Sequence, residues 1–266
     1  MSIEVLAPVG NKEMFNAALL GGADAVFLAS KSFGARAYAS NFNIEEISEM
    51  VATAKLRGVN IHVTVNTLIK ENEMTDAIEL IGELVKIGVK AIIIQDIGLL
   101  DLAANTYKDI EFHCSTQISA NNLYAVNTLQ KLGADRIILA RELSLDEIKF
   151  ISKNSDVDLE VFGHGSLCVS YSGKCTMSSF IGARSGNRGR CAQPCRKEYE
   201  LLKPSLEVLG KGFYLSPKDL ASKYGAIKLE ELGIKSIKIE GRMKKPEYVY
   251  GAAKYYKSIT DIGKAD

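Results

Sequence analysis

The chain has 266 residues and a mass of 29.0 kDa, ample for one large domain and short of two ordinary ones. With 47% hydrophobic and 24% charged residues a sizeable core can be buried, while 33 basic against 32 acidic side chains, net +1, exclude a basic coat over the whole surface but not a local basic patch. Residues 1–10 lack the basic flank and long apolar run of a secretory signal, and no stretch reaches the roughly 18 apolar residues of a membrane span, so the cytoplasm is the expected location and no membrane partner is expected.

In chain order, short apolar runs recur after helix-ending glycines. Gly22, Gly58, Gly88, Gly133 and Gly233 each open such a run, as in Gly88-Val89-Lys90-Ala91-Ile92-Ile93-Ile94. Glycine just past a helix accepts the left-handed conformation that closes it, and the β-branched run after it suits a strand buried on both faces. Strands are predicted at 3–8, 24–29, 59–65, 89–95, 110–116, 135–141, 157–163 and 235–240. Each is followed by a segment of helical period, the last at 246–261. Ile47, Met50, Val51 and Ala54 share one helix face, Ile78, Ile81, Leu84 and Val85 another, and Leu145, Ile148 and Ile151 a third. Asn43, Asn72 and Ser144 are the expected N-caps. Eight strand–helix units over residues 1–266 predict a single (β/α)8 TIM-type barrel domain. An open doubly wound sheet is the alternative, but no Gly-x-Gly-x-x-Gly follows the first strand.

After the seventh strand, residues 164–218 break the rhythm: rich in Gly, Ser, Cys and Arg, they show no long amphipathic pattern until Lys218-Asp219-Leu220. A loop-borne insertion is expected there, at the C-terminal end of a barrel strand, where such barrels keep their chemistry. It holds Cys168, Cys175, Cys191 and Cys195 in a C-x6-C-x15-C-x3-C pattern. Four thiolates on one loop are a ligand set for a [4Fe–4S] cluster or a structural zinc. Zinc knuckles usually have shorter gaps, so the spacing favours the cluster, with zinc as the alternative. Cys114, in the fifth strand, reads as an ordinary barrel thiol.

Several strings occur in order: Glu160-Val161-Phe162-Gly163-His164-Gly165-Ser166-Leu167-Cys168 with Ser172-Gly173-Lys174-Cys175, then Gly186-Asn187-Arg188-Gly189-Arg190-Cys191-Ala192-Gln193-Pro194-Cys195-Arg196, Ser216-Pro217-Lys218-Asp219-Leu220, and Lys238-Ile239-Glu240-Gly241-Arg242-Met243-Lys244. Together they resemble the signature of the peptidase U32 family over almost the whole chain. The resemblance implies one of two activities. Some members are described as collagen-degrading peptidases. Others are oxygen-independent hydroxylases of a tRNA wobble uridine, a 23S rRNA cytidine or ubiquinone precursors, which carry a [4Fe–4S] cluster on four cysteines and are linked to prephenate as oxygen source. Counterparts of all four cysteines stand here, which strengthens the expectation of a cluster. Many members run beyond the barrel, whereas this sequence stops at Asp266, as either a compact member or a chain without C-terminal domains that help bind substrate.

No Gly-x-Ser-x-Gly elbow and no His-Glu-x-x-His helix is present, and Ser166, two residues after His164, makes no triad without a third group. The expected function is therefore oxygen-independent hydroxylation of an RNA base with a prephenate-like donor. A collagenase-like peptidase, or a cluster-bearing subunit that acts only in a homo- or hetero-oligomer, is the alternative. Asn66, Glu160, His164 and Glu240 are the expected catalytic residues, at strand ends or beside the first cysteine. Gln95, His113, Gln117 and Arg242, with Arg184, Arg188 and Arg190 of the insertion, are expected to bind substrate. Asp96, Arg141 and Glu142 are further strand-end candidates, and charge balance for a thiolate cluster is the competing role for the insertion's arginines.

Overall fold

Eight short parallel strands close on themselves: β1 (Glu4–Pro8), β2 (Ala25–Ala29), β3 (Asn60–Val65), β4 (Ala91–Ile94), β5 (Glu111–Cys114), β6 (Arg136–Ile138), β7 (Asp158–Ser166) and, last in the chain, β11 (Ser236–Ile239). Each pairs in parallel with its neighbour, and β11 lies between β7 and β1, so the barrel has no open edge. The computed structural model describes residues 3–35, 40–221 and 223–262. Helices α1 (Lys12–Leu20), α2 (Ile44–Leu56), α3 (Met74–Lys86), α4 (Ile97–Thr106), α5 (Leu123–Lys131) and α6 (Leu145–Lys153) follow the first six strands in turn. After β7 comes the inserted segment, with a short helix α7 (Met177–Gly182), a hairpin of β8 (Tyr199–Leu202) and β9 (Val208–Gly212), and β10 (Asp219–Ala221). Helix α8 (Lys223–Glu231) then leads into β11, and α9 (Pro246–Ile262) ends the described barrel.

The five helix-ending glycines take positive φ, from +68° at Gly58 to +96° at Gly133, as a turn straight into a strand requires. Asn43 and Ser144 cap α2 and α6, each in a reciprocal box with the glutamate three residues on. The cap expected at Asn72 is not formed. Asn72 sits inside a 3-10 turn (Glu71–Glu73), and the Glu73 carboxylate takes up the Lys70 N–H instead, so α3 starts only at Met74. Leu145, expected on a core face, is 49% exposed, because it opens α6 before the helix has turned onto the barrel.

Strand alternation sorts the side chains into two cores. Val5, Val26, Val63, Ile92, Ile94 and Ile237 face the helices and join the large outer core. The opposite parity faces the barrel axis, where Leu6, Ala25, Phe27, Ile93 and Ile138 form a small separate cluster with Phe162 packed on it. The inserted segment departs from a plain loop. The residues at its end, Asp219–Ala221, form a strand antiparallel to the extended end of β7, with Asp219 opposite Ser166, and no helix begins until Lys223. Among the described residues no helix is long and apolar enough to cross a membrane.

Candidate functional site

Below the strand ends, the barrel axis carries charge as well as hydrocarbon. Glu160 on β7 and Lys238 on β11 are both buried and 2.8 Å apart, and Arg136 on β6 lies 3.6 Å from the same carboxylate while donating to Glu4 at 2.6 Å. Burial alone would push the Glu160 carboxyl up, but the Lys238 and Arg136 charges hold it below its ordinary value, so it stays an anion. His113 lies one level lower, 3.3 Å from Glu111, with its ring edge-on to His62 at 4.9 Å. Burial, reinforced by His113 and the nearby cations, holds His62 well below its ordinary pKa and keeps it neutral.

Above this layer opens a cavity of about 180 Å³, room for one ring-sized group rather than a folded macromolecule. Phe27, Phe162, Ile93 and Ile138 supply its apolar surface, and Asn66, Gln117, Arg141, Lys238, Glu240 and Arg242 its polar groups. The Lys238 ammonium stands 4.4 Å over the Phe27 ring, the Arg242 guanidinium 5.9 Å over the same ring, and Arg141 5.9 Å over Phe162. Cations stacked on aromatic walls make a floor suited to a planar or carboxylate-bearing molecule.

The inserted segment roofs this cavity. Cys168, Cys175 and Cys191 line it beside Gly186 and Asn187. Cys195 lies within electrostatic reach of all three: burial first, then the Cys168, Cys191 and Cys175 thiols, raises its pKa against the opposing Arg196 charge. The Gln193 N–H donates to the Cys191 sulfur at 3.4 Å. Among the described residues no group of three or more His, Cys, Asp or Glu side chains is drawn tightly enough to hold a single metal ion.

The roof is fastened to several barrel loops. A Cβ on Gly173, at φ +72°, would lie 1.9 Å from the Gln117 carbonyl oxygen, so only glycine permits this contact. Arg188 forms a two-pronged ion pair with Glu73 at 2.5 and 2.6 Å and also donates to the Leu68 carbonyl. The Arg196 guanidinium reaches the Leu167 and Pro217 carbonyls and the Ser216 hydroxyl, tying the two ends of the segment together.

The expected site residues separate accordingly. Asn66, Gln117, Glu240 and Arg242 line the cavity with three of the cysteines. Asn66 is anchored by accepting the Ala35 N–H at 2.9 Å. Glu160 and His113 are sealed beneath the cavity, away from its wall, because strand parity and register point them at the axis below its floor. Gln95 is buried and outside the lining, Asp96 caps α4, and Glu142 accepts from Ser172. His164 packs between Tyr248 and Tyr256 of α9, each ring 5.5 Å away, where a register shift in the β7–β11 pairing, with Gly163 as the extra residue, turns it outward. Ser166 donates to Asp219 at 2.7 Å and not to His164, and Lys244 holds the other oxygen of that carboxylate at 3.0 Å. Among the described residues no serine–histidine pair forms. Of the expected arginines, Arg188 serves the roof, Arg184 donates to the Arg190 carbonyl, and Arg190 is exposed.

The model of peptidase family U32 matches residues 10–265. The chain belongs to peptidase family U32. The tRNA hydroxylation protein P1 of Bacillus subtilis (strain 168) is 40% identical over 99% of this chain and 64% of its own length. The 23S rRNA 5-hydroxycytidine C2501 synthase of Escherichia coli (strain K12) is 39% identical over 97% of this chain and 39% of its own. A collagenase of Porphyromonas gingivalis (strain ATCC BAA-308 / W83) is 35% identical over 97% and 65%. The chain thus spans between 39% and 65% of the length of these U32 relatives. Among solved structures, the U32 peptidase Mk0906 matches 91% of this chain and 94% of its own at a TM-score of 0.64 and 14% identity, a likeness of fold.

Lys238, Phe27 and Tyr171 are among the residues of this U32 site that stand outside the sequence-based expectations. Lys238 had a legible signal, a lone charge at an inward position of a buried strand, facing the same axis as Glu160. Phe27 looked like ordinary core. Tyr171 carried no signal at all, since its importance depends on where its loop is pinned.

Proposed function

We propose that this chain is the barrel of an iron–sulfur enzyme that hydroxylates an RNA base without molecular oxygen, drawing on a small prephenate-like donor. The observation that carries the reading is the convergence of four thiols on the roof of a cavity floored by cations and aromatic rings. Cys168, Cys175, Cys191 and Cys195 would hold a [4Fe–4S] cluster. An all-thiol ligand set suits a cluster, and an N–H donor to the Cys191 sulfur suits a bound thiolate. When bound, the cluster supplies one-electron chemistry at the cavity mouth. Within the chain, Lys238, Arg141 and Arg242 offer charge to a carboxylate-bearing donor, Asn66 and Gln117 offer amide hydrogen bonds to a planar ring, and Glu240 is the carboxylate placed to move a proton.

RNA as substrate is supported by the tRNA- and rRNA-modifying relatives and by the charge of the inserted segment. Residues 164–218 hold nine Lys and Arg against three Glu, net +6, while the rest of the chain holds 24 basic and 29 acidic residues, net −5. The cytoplasm is where such RNA is met. The peptidase reading has the collagenase relative behind it but no assembled nucleophile, because Ser166 is held by Asp219 and His164 by the α9 tyrosines.

Mass spectrometry of ribosomal and transfer RNA from cells with and without the gene tests the reading. A nucleoside heavier by about 16 Da, one added oxygen, should be lost with the gene and restored only by protein with intact cysteines. Unchanged RNA together with peptide cleavage that survives loss of all four cysteines would replace it with the peptidase.

A further inference from the structure

Tyr171 combines a rigid backbone with a bare ring. Its neighbour Ser172 is fully buried and held from every side: Arg141 donates to its hydroxyl through N and Nε at 3.1 and 3.2 Å, the hydroxyl donates to Glu142 at 2.9 Å, and the Ser119 hydroxyl donates to its carbonyl. One residue further on, Gly173 is pressed against the Gln117 carbonyl, and the Lys174 N–H closes a turn onto the Tyr171 carbonyl at 3.2 Å. Yet Tyr171 is 67% exposed, and among the described residues its hydroxyl makes no hydrogen bond. It lines the mouth of the cavity beside Cys168, Cys175 and Arg141.

Folding alone gives no reason to pin a loop this firmly and leave an aromatic ring in water. The arrangement suits a ligand that arrives flat. We propose that Tyr171 is the platform on which the substrate nucleobase stacks as it enters the cavity, with the positive roof holding the flanking phosphates. This rests on the RNA reading above and adds the residue that would read the base by its π face. Stacking is favoured by an exposed ring on a backbone that is already held, so that less conformational freedom is lost on binding. Lys174 and Arg190, both exposed on the same roof, supply nearby charge.

The chain contains no tryptophan, so Tyr171→Trp places a single indole reporter at this point. Anaerobically prepared full-length protein is titrated with a short single-stranded RNA of mixed uridine and cytidine, and with gelatin peptides as a protein probe. RNA should quench the indole emission of the Tyr171→Trp variant, and Tyr171→Ala should weaken RNA binding by roughly 5- to 150-fold, the range for losing one stacked base. Tyr171→Phe should bind like the unaltered protein. The salt dependence of binding should be the same in Tyr171→Ala, because the lost contact is uncharged, whereas a collapsed roof would flatten it. RNA binding that is indifferent to Tyr171→Ala, with emission unchanged, overturns the platform and leaves the RNA reading standing. Quenching by gelatin but not by RNA overturns it in favour of a protein substrate. No RNA binding by the unaltered protein at any salt overturns both.

Discussion

Arg188 and Glu73 are 115 residues apart in sequence and face each other as a guanidinium and a carboxylate in two parallel hydrogen bonds, with Leu68 completing the clamp between the cysteine-bearing roof and the loop after β3. The pair holds the Glu73 carboxyl at about 2, down from 4.5. Arg188→Ala should therefore loosen the roof, raising hydrogen exchange around residues 184–197 and costing about 1–2 kcal/mol in denaturant unfolding. Because the folded carboxyl titrates lower than the unfolded one, the pair's contribution is complete above pH 4.5 and is lost as the pH falls from there through about 2. Glu73→Gln should flatten that part of the stability–pH curve. An equally steep acid limb in the variant would show that the clamp does not hold.

Arg190 offers the contrast. Its side chain is exposed while Arg188 is committed to Glu73, so the two neighbouring arginines should differ in RNA binding. Arg190→Ala should lower the slope of log affinity against log salt by about 0.7–0.9, the value for one phosphate contact. Filter binding over a salt series measures it, and an unchanged slope would remove Arg190 from the interface.

Metal loading should depend on four cysteines out of five. Protein made without oxygen should carry about four irons and matching sulfide per chain, and alanine at Cys168, Cys175, Cys191 or Cys195 should abolish both. Cys114→Ala should not, since burial in the outer core pushes that thiol up to about 12 and leaves it an inert, protonated filler. One tight zinc without sulfide would end the cluster reading.

The Glu160–Lys238 pair in the barrel axis should behave as a buried charge pair. Lys238→Met leaves the Glu160 carboxylate short of a partner and should cost about 3–5 kcal/mol in urea unfolding. Replacing both residues with leucine should recover part of that loss. Equal destabilisation in the single and double variants would mean that volume, not charge, matters there.

Gly173→Ala should separate roof from barrel. The new methyl meets the Gln117 carbonyl at an impossible distance on a residue already at φ +72°, so the loop has to lift. The expected result is iron loading reduced several-fold at a nearly unchanged barrel melting temperature, read by iron assay and circular dichroism. Full loading would show that the Gln117 contact does not hold the cysteines in place.

The sequence by itself determined the barrel, because each strand–helix unit is encoded locally. The glycines at 22, 58, 88, 133 and 233 end helices through their own backbone freedom, and the apolar period of each segment fixes which face is buried. It also determined that four cysteines share one segment. It did not decide which charged residues meet. Strand parity and register sent Glu160 and His113 into the axis below the cavity, an extra residue at Gly163 in the β7–β11 pairing turned His164 towards α9, and the ion pair with Glu73 drew Arg188 into the structure. Those outcomes rest on contacts between residues far apart in the chain, 78 positions for Glu160 and Lys238 and 115 for Glu73 and Arg188, and such distances leave no periodic trace in the sequence. The cavity is likewise a product of closure: Phe27, Gln117, Tyr171 and Lys238 come from four separate loops and strands, and only the assembled barrel puts them around one space.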